Sequence, residues 1–242
     1  MRRVTPVLVA VLALLALAFA GVAAVGCGGE SLPDDAVATV GDVTVSKEDF
    51  QTLLAQAQAQ MTAQGVELPE KGSEDYDHYV AQIVDFLVEE QIVEQSAAEL
   101  DVSITDKEVD DEIAKLEEAY GGEEKVLALL EEQGMTMALL KRSIRSQTLA
   151  QRVAEVVTKD AAVSNAAITS YWKAHKAQLV KDKKTATLAK AKATIQETLL
   201  SAEQMRIWND WIAGRGKELG VEYAAGFDPA ELAPSASASP AG

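Results

Sequence analysis

Cysteine is almost missing from this chain: its 242 residues hold one, Cys27. A single thiol excludes an internal disulfide and a thiolate-bound metal, so the fold must be held by packing. Histidine is nearly as scarce. His78 sits in an acidic helix start and His175 in a lysine-rich helix, far apart in sequence, and each reads as a surface or half-buried residue, not a catalytic base. Aromatic residues make up only 5% of the chain, and Ala and Leu dominate instead, which favours helix over sheet. No Gly-x-Ser-x-Gly elbow and no phosphate-cradling glycine loop occurs, so the sequence predicts no enzyme and no cofactor. Positive charge is short as well: 22 Lys and Arg face 38 Asp and Glu, for a formal net charge of −16. A chain this acidic repels phosphates at long range, which excludes nucleic acid as a partner.

What is present begins with an export signal. Arg2 and Arg3 precede an uncharged apolar run over 7–25, followed at once by Ala24-Val25-Gly26-Cys27. That order of charge, apolar run and small residues is a secretory signal, and the residues before Cys27 resemble the bacterial lipobox. The sequence predicts a signal peptide over 1–26 and lipidation of Cys27 by diacylglycerol and palmitate-type acyl chains. Two chains anchor stably where one binds marginally. The alternative is an uncleaved span, since nineteen apolar residues nearly cross a bilayer. Residues 27–36 then read as a polar tether.

The rest is mainly α. Residues 37–45 are two alternating β-branched runs around Gly41-Asp42, a two-residue hairpin turn. Ser46 caps a helix carrying Phe50, Leu53, Leu54, Ala57 and Met61, and a loop follows over 65–73. Residues 76–100 are apolar on more than one side, including Phe86, and predict a central buried helix. Over 104–157 three helices follow in succession. Thr105 with Glu108 forms a capping box for the first, Gly121-Gly122 ends it, and Gln133-Gly134 ends the second. The third starts near Met135 and carries Leu139, Leu140, Ile144, Leu149, Val153 and Val156. Ser164 caps a helix with Ile168, Tyr171 and Trp172. A last helix over 188–219 ends at Gly220, weakened near its end by Gly214 and Gly216, before a short strand at 221–223. The Pro-, Ser- and Ala-rich residues 228–242 predict a disordered tail.

Two charge features invite a functional reading. Asp106, Glu108, Asp110, Asp111 and Glu112 crowd one helix start, but an EF-hand needs a glycine turn that is absent, and acids there complement the helix dipole. No metal site is predicted. Residues 161–196 carry seven lysines and one acid, Asp182. They are either solvated helix faces or a basic surface for anionic lipid or an acidic client.

The stretch "ITDKEVDDEIAKLEEAYGG…GMTMALLKRSIRSQTL" resembles the SurA/PrsA-type N-terminal chaperone domains, whose pattern runs (V/I)TDxEVDxxI…(Y/F)GG…GMT…L(K/R)xxIRxQxL. "VATVGDVTVSKEDF" is similar to their opening VAxVNGxxIxxxDF, with Gly-Asp in place of Asn-Gly. "VSNAAITSYWKAHKAQL" resembles the segment that normally leads into a parvulin proline isomerase, yet here only VKDKKTAT separates it from the last helix. The resemblance implies a multi-helix domain over 37–179, completed by a helix and strand over 180–227 that return to the N-terminal hairpin. It also implies a membrane-anchored, extracytoplasmic holdase for unfolded or newly exported polypeptides, lacking isomerase activity. The alternative is an adaptor lipoprotein holding one envelope partner. Met is flexible and suits varied apolar partners, so Met61, Met135, Met137 and Leu139, with Tyr171 and Trp172, are the candidate client-contacting residues. Oligomeric state is left open.

Overall fold

The computed structural model describes residues 32–179 and 187–232. The 7–25 run, Cys27 and most of the tail lie outside them. Strands β1 (Ala36–Val40) and β2 (Val43–Ser46) form the expected antiparallel hairpin. Gly41 adopts φ +57° at the first turn position, a conformation that costs an L side chain strain and glycine none. Ser46 then starts α1 (Lys47–Ala63), its hydroxyl accepting from the Asp49 amide at 3.0 Å.

The molecule is built around α2 (Glu74–Ala97), capped by Ser73 and ended by a 3-10 turn at Ala98–Leu100 and by Asp101 at φ +55°. It packs against α1 and both hairpin strands. Val80, Val84, Leu87, Val88, Ile92 and Val93 are buried in one cluster with Val37, Val40, Phe50, Val153 and Ile212. Phe86 is the exception to the expected all-round burial, at 45% exposed.

The next three helices are α3 (Asp106–Tyr120), α4 (Glu123–Glu132) and α5 (Met137–Val157). The capping box is present in full: Thr105 N–H donates to Glu108 Oε2 at 2.8 Å, and Glu108 N–H donates to Thr105 Oγ1 at 3.3 Å. Helix α5 starts two residues after Met135 because the Thr136 hydroxyl accepts from the Leu139 amide at 3.2 Å. Val126, Leu130 and Leu140 form a second apolar cluster here, apart from the main core.

Helix α6 (Asn165–Leu179) packs chiefly on α7 (Leu188–Leu219). Ile168, Trp172 and Ile195 form a third cluster between them. Helix α7 runs unbroken through both glycines to Leu219. Gly216 is buried, and a side chain there would meet Ile92 Cδ1 at 3.3 Å, so glycine permits the close approach of α7 to α2. Gly220 ends the helix at φ +80°, and β3 (Val221–Tyr223) pairs antiparallel with β1, Val40 opposite Val221 and Ala38 opposite Tyr223. The sheet order is β2-β1-β3, so the closing strand joins the two ends of the described chain.

The expected tail needs correction at its start. Pro229–Leu232 form a short helix, α8, docked on α2. Asp228 Oδ1 accepts from the Ala230 amide at 2.9 Å, and Pro229 stands at the first helical position, where its missing N–H costs nothing. Phe227 meets Phe50 edge-on at 5.2 Å, and Leu232 packs on the main core. The Pro and Ala that read as disorder by composition therefore belong to an anchored turn. Residues 233–242 lie outside the described residues.

Candidate binding surface

Four of the six candidate residues sit at one end of the molecule. Met135 and Met137 are half-buried against Val126, Leu130 and Leu140, beside Leu116, Tyr120 and Ile144. The α4–α5 turn places Met135, whose backbone N–H donates to the Leu130 carbonyl at 2.8 Å. At Gly134 a side chain would lie 3.6 Å from Ala59 Cβ, so this turn abuts α1 two residues from Met61. The Met61 carbonyl accepts from the Val66 amide at 2.9 Å, which folds Val66, half exposed, back over the end of α1. Leu139 is half-buried on the first turn of α5, and Leu127 on α4 is 43% exposed. Gln133 Oε1 is buried in the same turn with no hydrogen-bond partner among the described residues.

The other two candidates fall elsewhere. Trp172 is 9% exposed and fills the α6–α7 hairpin with Ile168 and Ile195. It packs on Ile195 of α7, away from the end that carries the methionines. Tyr171 stacks on His175, ring centroids 4.1 Å apart. His175 Nδ1 lies 3.0 Å from the Tyr171 carbonyl.

The acids at the start of α3 are bound up in ion pairs. Asp106 meets Arg145, Asp110 meets Lys141, Asp111 meets Lys107 and Glu112 meets Lys115. Glu108 takes Arg152 at 2.6 Å, and that bond, with those from Thr105, holds its carboxyl down at about 2. Arg142 reaches from α5 to Asp49 on α1 and to Glu90 on α2. Arg142 thus links α5 to α1 and α2, whereas Lys141, Arg145 and Arg152 tie α5 to α3 within the lobe.

One cluster escapes sequence reasoning altogether. Asp85 and Glu89, one turn apart on α2, sit beside Asp228 and Tyr223. Burial pushes the Asp85 carboxyl up to about 7, with Glu89 and Asp228 adding repulsion. Burial raises Glu89 too, offset in part by the Trp208 indole N–H donating at 2.9 Å. Burial and the charges of Asp85 and Asp228 push the Tyr223 hydroxyl upward. Helix α2 carries seven acids, Glu74, Asp75, Asp77, Asp85, Glu89, Glu90 and Glu94, so nothing in the sequence sets Asp85 and Glu89 apart.

Residues 1–154, through the hairpin, α2, the methionine lobe and most of α5, match the family described as the SurA-like N-terminal domain. The chain belongs to that family. Two curated relatives are each named foldase protein PrsA. The one from Caldanaerobacter subterraneus subsp. tengcongensis is 26% identical over 189 residues, covering 71% of this chain and 56% of the relative. The one from Clostridium acetobutylicum is 25% identical over 179 residues, covering 69% and 54%. The chain thus spans about half the length of the curated relatives it matches. No solved structure matches it. Within this SurA-like domain the family match contains all of Met61, Met135, Met137 and Leu139, whereas Tyr171 and Trp172 lie beyond it.

Proposed function

We propose that the protein is a holdase chaperone of the SurA-like family, lipid-anchored through Cys27 on the outer face of a bacterial membrane. It binds exposed apolar segments of unfolded or newly exported polypeptides and releases them without ATP. The observation that supports this reading most is the seating of Met61, Met135, Met137 and Leu139. All four are half-buried; Met135, Met137 and Leu139 belong to a lobe with its own small core and with Leu127 exposed beside it, and Met61 stands near the end of α1, which the α4–α5 turn approaches at Ala59. Methionine side chains repack around differing apolar partners, as a surface with many clients requires. Ion pairs join α5, which carries Met137 and Leu139, to α3, α1 and α2. Binding without isomerase chemistry is supported by the join between α6 and α7, where residues 180–187 are too few to hold an isomerase domain.

A second reading is an adaptor that holds one dedicated envelope partner. It is favoured by a shallow depression lined by Asp101, Ser103, Arg152, Glu155 and Lys159 together with Val102 and Val156, a mixed polar and apolar recess suited to one specific contact. Photo-crosslinkers placed at Met137 and at Lys159 in intact cells separate the two. Many unrelated exported chains captured from Met137 support the holdase. One recurring protein, captured from either position, means the adaptor.

A further inference from the structure

Helix α4 presents an exposed stripe that the rest of its lobe leaves uncovered. Leu127, at the middle of the stripe, is 43% exposed. Glu123 and Glu124 stand one turn before it and Glu131 one turn after, at spacings that share one helix face. All three carboxylates are exposed, as is Glu132 beside them, and among the described residues none of the four is in an ion pair. Every base of α3 and α5 is already paired, with acids of α1, α2 and α3. Lys125, the base of α4, is two residues from Leu127 and so turned away from the stripe, its Nζ 2.8 Å from where a side chain on Gly121 would begin. Glu131 and Glu132 also occupy the last turn of α4, where the helix dipole disfavours negative charge and no base offsets it. A charge that its own helix disfavours and its own lobe leaves unpaired points to a cation that arrives with a partner.

We propose that this face selects, among apolar client segments, those flanked by lysine or arginine. The inference rests on the chaperone reading above and names the class of client it favours. Met135 and Met137 pack against Val126 and Leu130 of the same helix, so the acidic stripe borders the methionine surface. The apolar part of a client covers Leu127 and the methionines, and its basic flanks pair with Glu123 and Glu124 at one end and Glu131 at the other. From Glu123 to Glu131 the helix rises about 12 Å, a distance that an extended chain covers in about four residues. A base on either side of a short apolar run therefore reaches both acidic ends at once. Acidic segments meet repulsion at the same face, so charge discriminates among the segments that the methionines accept for being apolar.

The test uses the chain beginning at Gly28, which keeps every described element because these start at Ala36. Its affinity is measured by fluorescence polarisation for labelled peptides that share one apolar core and differ only in flanks of Lys, Gln or Glu. At low salt the Lys-flanked peptide is expected to bind about tenfold more tightly than the Gln-flanked one, as for three exposed pairs each giving about twofold. The Glu-flanked peptide is expected to bind more weakly than either. In about 1 M salt, where the Debye length is about 3 Å, the three affinities are expected to converge. E123Q/E124Q/E131Q, folded by circular dichroism, is expected to abolish the difference between the Lys- and Gln-flanked peptides. E131K/E132K, which the helix dipole favours and which therefore keeps the fold, is expected to weaken the Lys-flanked peptide and strengthen the Glu-flanked one. Equal affinity of the wild type for all three peptides, or a preference for Lys flanks that E131K/E132K retains in full, would overturn the proposal. So would polylysine bound as tightly as the Lys-flanked peptide, because the apolar core would then play no part. Binding of the Gln-flanked peptide without any preference for Lys flanks leaves the chaperone reading standing and sinks this inference alone. No binding of any peptide overturns both.

Discussion

Asp85 makes the fold sensitive to pH in a direction opposite to that of most carboxylates. Its carboxyl is held at about 7 by burial on α2, beside Glu89 and Asp228, whereas in the unfolded chain it titrates near 3.8. Between those values the folded state keeps a proton that the unfolded state has released. More protons are therefore bound when folded, and stability falls as pH rises through this window and stays low above 7. Fully expressed, the penalty is about 4 kcal/mol at pH 8 and roughly 1.5 kcal/mol at pH 5. Asp85→Asn removes the titration while keeping shape and size. The variant should gain on the wild type by about 2.5 kcal/mol between pH 5 and pH 8, which for a chain of this size is roughly 5–10 °C in Tm. Urea unfolding followed by circular dichroism at both pH values measures the gap. A gap that does not change with pH, or an Asn variant less stable than wild type at pH 8, would refute the reasoning.

Phe227→Ala removes the ring that meets Phe50 edge-on and pins the start of α8, and should cost about 2–3 kcal/mol by urea unfolding. An unchanged midpoint would mean that the terminal turn does not hold the core. Cys27→Ser should leave the protein unlipidated and shift it from the membrane fraction to an unprocessed or soluble form, read by fractionation and intact mass. A native protein whose mass shows Met1 retained, or Cys27 without lipid, would contradict the anchor.

Much of the fold was legible because its signals are local. The Gly41 turn, the Ser46 hydroxyl and the Thr105–Glu108 box each act within a few residues, and the short Val-Glu-Tyr segment at 221–223 needed only the N-terminal hairpin as its partner. Pairings set by distant contacts were not legible. Trp172 recurs at helical spacing whether it faces a client or Ile195, and only the α6–α7 packing decides. Asp85 reads as one acid in an acidic chain until Asp228 and Tyr223 come round to it from the far end. Helix α8 was lost because a four-residue turn has no periodicity, and the Ser-Ala run beyond it dominates the composition. Of the candidate surface, the methionines stand together because the α4–α5 turn meets α1 at Ala59, a contact between residues 75 positions apart in sequence.

The central claim, binding of unfolded chains through the α3–α5 lobe, is tested most directly by light scattering from an aggregating client. The chain from Gly28 onward, at roughly equimolar ratio and without ATP, should suppress aggregation of several unrelated unfolded proteins. Met137→Asp with Leu139→Asp should remove most of that suppression while helical content and unfolding midpoint stay near wild type, because both residues are only half-buried. A folded wild-type protein that leaves every client's scattering unchanged, or a folded double variant as effective as wild type, would contradict the account.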